Sequence, residues 1–130
     1  MKFIYIFLIL VSVNACTNNT IGSAEVQEID YVEFSQLENY NNGSWFEVTG
    51  YIKNIDSTWT IPSAWYIECQ FYSDESMSLK LGGENTTVWI PLEPHQSTIW
   101  TIRWLPGVNS NINISDYPDW TYGDLRAYIK

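Results

Sequence analysis

Chemically reactive side chains are scarce in this sequence. It contains two cysteines and one histidine. Cys16 lies at the end of an apolar leader, which leaves Cys69 and His95, and two ligands are too few for a zinc site. Neither residue lies in a motif that would pair a thiolate with a base. The sequence therefore predicts no metal centre built on cysteine and histidine.

The motifs of hydrolases and of phosphate binding are missing as well. No serine lies in a nucleophile elbow, and Gly82-Gly83 is not followed by the lysine of a phosphate-binding loop. Asp116, Asp119 and Asp124 are the densest acids, but their spacing does not match an EF-hand and Pro118 indicates a turn. We therefore predict that the protein is not an enzyme and uses no metal or cofactor.

Basic residues are few. Six lysines and arginines stand against 15 acids, which gives a net charge of −9 at pH 7. An acidic chain is repelled by phosphate backbones, so nucleic acid is not an expected partner.

The sequence has no apolar run of the length of a membrane-spanning helix. The longest, from Phe3 to Val13, is interrupted only by Ser12. As a helix it would be about 16 Å long, roughly half of a hydrocarbon core about 30 Å thick. Lys2 precedes it and small residues follow, which is the order of a secretory signal. We predict a signal peptide over residues 1–15.

The leader ends in Val13-Asn14-Ala15-Cys16. This segment resembles a lipobox, whose cysteine becomes the lipidated first residue of a prokaryotic lipoprotein, although Asn14 departs from the usual residue. An ordinary signal peptidase would cut the same bond. We predict lipid attachment at Cys16, which would hold the protein on the outward face of a membrane in the cell envelope. Secretion, with Cys16 free to form a disulfide with Cys69, and an uncleaved anchor are the alternatives.

The chain after Cys16 is small, polar and without pattern, which predicts a flexible tether over residues 16–28 and a folded domain over residues 29–130. Residues 29–40 fit a short helix or a strand equally well. Four Asn-x-Ser/Thr triplets are candidate acceptors in an organism that glycosylates exported proteins: Asn18, Asn42, Asn85 and Asn113.

Beyond Tyr40 apolar residues recur at every second position, which is the period of a strand. The alternation is clear in WFEVTGYIKNI, AWYIECQFY and STIWTIRWL. SMSLKL predicts a further strand ended by Gly82-Gly83, TTVWIPL follows it, and NINIS and WTYGDLRAYI are strand candidates in the tail. Short strands with one apolar and one polar face predict an antiparallel β-sandwich.

Four segments carry a family resemblance: VTGYIKN, FYSDE, PLEPHQ and STIWTI. Residues 46–105 resemble the FxLYD domain, an immunoglobulin-like β-sandwich of prokaryotic envelope proteins. The resemblance implies that fold and an envelope location, but no defined ligand. His95 stands where the family usually has glycine after proline. The alternative fold is an OB-type barrel, whose first curved strand WFEVTGYIKNI would also fit.

Aromatic residues are abundant, with seven Trp and nine Tyr. Trp65, Trp100 and Trp104 fall on predicted inward faces and are assigned to the core. Five others fall in loops or on outward faces and are candidates to contact a ligand or partner: Trp59, Trp120, Tyr51, Tyr66 and Tyr72. The three tyrosines would form one patch if their strands were neighbours.

These observations predict a non-catalytic binding or assembly module at the cell surface. Its expected partners are the membrane, through the lipid, and an envelope protein or a polysaccharide. The alternative is a small secreted or surface carbohydrate-binding module that stacks sugars on exposed tryptophan and tyrosine.

Overall fold

A computed structural model describes residues 25–130 of the chain. The predicted signal peptide, Cys16, Asn18 and most of the predicted tether lie outside these residues. Within residues 25–130, no helix has the length and apolar composition needed to cross a membrane.

Seven strands form two antiparallel sheets. The strands are β1 (Gln27–Ile29), β2 (Val32–Asn41), β3 (Phe46–Asn54), β4 (Trp65–Tyr72), β5 (Lys80–Val88), β6 (Ser97–Trp104) and β7 (Thr121–Ile129), and a 3₁₀ helix spans Ile114–Asp116. The sheets have the strand orders β1-β7-β4-β5 and β2-β3-β6. They do not close into a barrel. The predicted β-sandwich is therefore confirmed, and the OB-type alternative is wrong.

The core follows the alternation of the sequence. The inward-facing residues of β3, β4 and β6 are buried and include Phe46, Val48, Ile52, Trp65, Ile67, Cys69, Phe71, Trp100, Ile102 and Trp104. The core assignment of Trp65, Trp100 and Trp104 is thereby confirmed. Each fully buried aliphatic or aromatic side chain stabilises the fold by about 1.5–3 kcal/mol.

Aromatic rings stack between the two sheets. The ring of Phe46 lies 4.3 Å from that of Trp120 and 5.8 Å from that of Trp104, and Phe71 lies 5.8 Å from Trp104. Such pairs contribute about 0.5–1.5 kcal/mol beyond the burial of their surface. The stack links β3, β4 and β6 to the segment that precedes β7.

Asn54, the last residue of β3, is a fully buried polar side chain. Its Nδ2 donates to the carbonyls of Trp59 and Leu92, at 2.8 and 3.0 Å, and its Oδ1 accepts from the backbone N–H of Asp56 at 2.9 Å. A buried amide must be satisfied in this way because an unpaired one is costly. Asn54 therefore fixes the loop after β3 against the segment that leads into β6.

The ambiguous residues 29–40 contribute strands and no helix. β1 pairs with β7 and begins at Gln27, so the last two residues assigned to the tether belong to the sheet. In β2 the register shifts between Ser35 and Glu38, and Gln36 has a φ of 50°. This bulge breaks the two-residue period, which explains the mixed pattern in the sequence.

The prediction that Gly82-Gly83 ends a strand is wrong, because both residues lie inside β5. A Cβ at Gly82 would lie 2.5 Å from Nε1 of Trp104, so only glycine permits the approach of that ring. Met77 and Leu79 are exposed and precede the strand. The predicted strand NINIS is also wrong, since it leads into the 3₁₀ helix capped by Asn113.

Candidate binding surface at the open edge of the sandwich

The three candidate tyrosines do not form one patch. Tyr51 lies on β3, on the outer face of the three-stranded sheet, whereas Tyr66 and Tyr72 lie on β4 in the other sheet. The chain crosses from one sheet to the other between β3 and β4, so the tyrosines lie on opposite sides of the molecule. The condition for one patch of Tyr51, Tyr66 and Tyr72, that their strands are neighbours, is therefore not met.

Tyr66 and Tyr72 are engaged by their own sheet. The ring of Tyr66 stacks on Tyr128 at 5.3 Å, and Nζ of Lys130 lies 4.8 Å from the Tyr66 ring centre. The hydroxyl of Tyr72 donates to Asp124, and this bond raises the pKa of Tyr72 above its ordinary value. Both side chains have intramolecular partners that a ligand would have to displace.

The two candidate tryptophans differ in burial. Trp120 is only 9% exposed and stacks in the core, with its edge on a pocket of about 590 Å³ shared with Asp74, Glu75, Ser76 and Asp119. Trp59 is 41% exposed and lies 4.9 Å from Tyr31 in an edge-to-face contact. Trp59 is thus more accessible to a ligand than Trp120.

The candidate acceptor asparagines within the described residues, Asn42, Asn85 and Asn113, are all exposed. Asn42 lies in the turn between β2 and β3, Asn85 on β5, and Asn113 at the cap of the 3₁₀ helix. Their glycosylation stays a prediction.

Cys69, the one cysteine among the described residues, lies in the core. Cys69 is fully buried, and burial, reinforced by the charge of Glu68, raises its pKa to about 12. Its thiol is therefore protonated and inert at neutral pH. Among residues 25–130, no group of three acidic, histidine or cysteine side chains is placed to hold a metal ion.

The most distinctive surface is a groove between β5 and β6. These are edge strands of opposite sheets, and they touch where Trp104 packs over Gly82. Beyond this contact, an open groove of about 420 Å³ lies between them. Residues 86–90 line one wall and residues 98–101 line the other. We call this the edge groove.

Large apolar side chains are exposed in the edge groove. Trp89 is 77% exposed, Ile99 is 62% exposed and Ile90 is 46% exposed. Ile99 pairs across the strands with Tyr51, so this candidate tyrosine extends the apolar surface onto the outer face of the sheet. No lining residue of the groove is charged, although the chain contains 6 basic and 15 acidic residues.

The segment that carries Trp89 and Ile90 is held in place by the core. The indole Nε1 of Trp65 donates to the carbonyl of Ile90 at 2.9 Å. Two residues later, Leu92 is buried and exchanges two backbone hydrogen bonds of 2.9 Å with Ile61. The exposed side chains are therefore presented by an anchored backbone, which lowers the entropy lost when a partner binds.

Trp100 lies on the opposite wall and carries an unusual polar group. Its Nε1 is buried and has no hydrogen-bond partner among residues 25–130. A buried donor without a partner typically costs about 1–3 kcal/mol. Its neighbour Phe34 packs edge-to-face against the indole at 5.8 Å, which does not supply an acceptor atom.

Ile99 and Trp89 are not among the five contact residues predicted from the sequence. One signal was present: Ile99 shares its strand phase with Thr101 and Arg103 and is therefore an apolar residue on a polar face. Trp89 lies between the end of β5 and Pro91, where local alternation does not predict which face of the sheet its side chain occupies.

Comparisons with protein-family models, curated proteins and solved structures found no match to this chain.

Proposed function

We propose that this protein is a non-catalytic cell-envelope lipoprotein whose β-sandwich binds a partner through the edge groove. The observation that carries the binding proposal is the uncharged, anchored surface of Trp89, Ile90 and Ile99 in a strongly acidic chain. Exposed apolar patches of this kind are typical of interaction sites. The resemblance to the FxLYD domain and the lipobox-like end of the leader support the location.

The location is tested by the intact mass of the protein from its native membrane fraction. A chain that starts at Cys16 and carries added acyl mass is the expected result. A chain that starts at Cys16 without lipid and is found in the medium would replace the lipoprotein by a secreted protein. A full-length chain in the membrane would make residues 1–15 an anchor.

The binding role is tested by retention of solubilised envelope proteins on the immobilised full chain. Ile99→Thr should abolish specific retention, because it removes exposed apolar surface from one wall of the groove while keeping a β-branched residue on the strand. Leu79→Thr, at an exposed residue outside the strands, is the matched control. Equal retention by both variants would contradict the role of the groove.

A carbohydrate-binding module is the second candidate, and the exposed indole of Trp59 favours it. Tyr31 contacts this ring edge-to-face, and 41% of the Trp59 residue is exposed. Trp59→Ala should then lose retention on polysaccharide, while Ile99→Thr should keep it. Absence of retention on any glycan by the unaltered chain would exclude this candidate.

A further inference from the structure

We propose that the edge groove binds an extended polypeptide segment, which adds to the free edge of β6 as a further strand of the β2-β3-β6 sheet. The inference rests on the proposed binding function of the groove and names the class of partner. Its occupant is a segment of another protein with apolar side chains at alternate positions and a net positive charge.

The first argument is the line that the groove follows. Thr98 and Trp100 belong to the inward phase of β6, and Ile99 and Thr101 to the outward phase, yet all four line the groove. Residues of both phases border one groove where that groove runs along the backbone edge between them. The groove therefore follows the edge of β6, where alternate backbone N–H and C=O groups have no hydrogen-bonded neighbouring strand.

The second argument is that β6 lacks the protection of the other three edge strands. β1 has only three residues, β2 is bulged and carries Glu33 and Glu38, and β5 carries a glycine pair followed by Glu84. Short length, bulges and charges of this kind are the usual means of preventing edge-to-edge pairing. From Ser97 to Ile102, β6 has no charge, proline, glycine or bulge. Only Arg103, near its end, is charged, and it is bound to Glu47.

The third argument concerns which class of molecule can pair with the free backbone donors and acceptors of β6. Only another polypeptide offers donors and acceptors at the spacing of a strand, so it can complete the ladder along β6. A sugar could stack on Trp89, but it would leave the edge unpaired. The apolar walls at Val88 and Ile99 select apolar side chains, and the net charge of −9 favours a basic segment over an acidic one.

The proposal is tested with a synthetic seven-residue peptide of alternating valine and threonine, flanked by lysines. Binding to the chain purified from its membrane fraction is followed by tryptophan fluorescence and by amide hydrogen exchange. We expect saturable binding and slower exchange of amides within residues 98–101. A second peptide has the same side chains but carries an N-methyl group on every backbone amide. Neither of its edges can then donate hydrogen bonds to a ladder. Its binding should be at least tenfold weaker.

Two protein variants serve as a matched pair. Ile99→Lys places a charge on the edge and should weaken binding of the unmethylated peptide at least tenfold. Leu79→Lys adds the same charge at another exposed apolar residue and should leave binding unchanged. Urea unfolding of both variants verifies that each is folded.

Three results would overturn the inference. Equal binding of the two peptides would mean that side chains dock without strand addition, and loss of envelope-protein retention in Ile99→Thr would then leave the proposed function standing. No binding of the unmethylated peptide, or equal binding by the two lysine variants, would exclude a polypeptide strand at β6. Self-association that Ile99→Lys abolishes, without peptide binding, would make a second copy of the chain the occupant.

Discussion

Glycine in place of His95 should stabilise the fold. His95 has a φ of 64°, in the left-handed region, and follows Pro94 in a turn closed by the N–H of Gln96 donating to the carbonyl of Glu93 at 3.0 Å. Proline followed by a residue of positive φ is the pattern of a type II turn, whose third position favours glycine.

The magnitude follows from two opposing terms. A residue with a Cβ loses about 1–2 kcal/mol in the left-handed conformation. Glycine avoids this loss but gives up about 0.5–1 kcal/mol more conformational entropy on folding. The His95 side chain is exposed, and its backbone N–H, which donates to the carbonyl of Asn54 at 2.8 Å, is retained. We expect His95→Gly to raise the free energy of unfolding by about 0.5–1 kcal/mol.

Equilibrium unfolding in urea, followed by tryptophan fluorescence, measures this difference. The midpoint should rise while the slope with denaturant stays constant, because the surface exposed on unfolding is unchanged. His95→Ala is the control, since it removes the imidazole but keeps the strained backbone, and it should not be more stable than the unaltered chain. A gain equal to that of glycine in the alanine variant would refute the reasoning, because the imidazole and not φ would then be responsible.

Three further predictions follow from burial and hydrogen bonding. Trp120→Ala should reduce the free energy of unfolding by about 3–5 kcal/mol in urea melts, since it empties part of the aromatic stack, and a change below 1 kcal/mol would contradict its place in the core. In a Cys16→Ser chain, Cys69 should react with a thiol reagent at pH 8 only at the rate of unfolding; immediate labelling would contradict its burial. The pKa of Asp56 is lowered from its ordinary 3.8, chiefly by the backbone N–H of Thr58 and then by that of Trp59. The ionised Asp56 carboxylate therefore stabilises the fold above pH 3.8, and this stabilisation is lost as the pH falls below that value. Asp56→Asn should flatten this part of the acid-unfolding curve, and an unchanged curve would exclude that role.

Much of the sandwich was predictable because its strands are half-buried. In β3 and β4 the two-residue period of the sequence is the burial pattern of the structure, from Phe46 to Ile52 and from Trp65 to Phe71. The two-residue period failed to predict structure where a contact between residues distant in the chain determines the local conformation. The sequence predicts the end of a strand at Gly82 because nothing near it in the chain reveals that Trp104, 22 positions later, packs on it.

The candidate surface was less predictable because it depends on which strands are neighbours. Local alternation places Tyr51 and Tyr66 on outward faces but contains no information about their different sheets. Trp120 lies among turn residues, where the sequence predicts an exposed ring, yet it fills the core beside Phe46. Ile99 alone carried a local signal, an apolar side chain in the polar phase of its strand.

The pairing of β1 with β7 has a mechanical consequence. Gln27 lies opposite Ile129, so both ends of the described chain leave the sandwich side by side. Tension applied between these ends would load the backbone hydrogen bonds of this antiparallel pair one after another. This is unzipping, in contrast to shear, in which all the bonds are loaded at once. With only three residues in β1, the domain should yield to small pulling forces at this corner while the two sheets behind it stay intact.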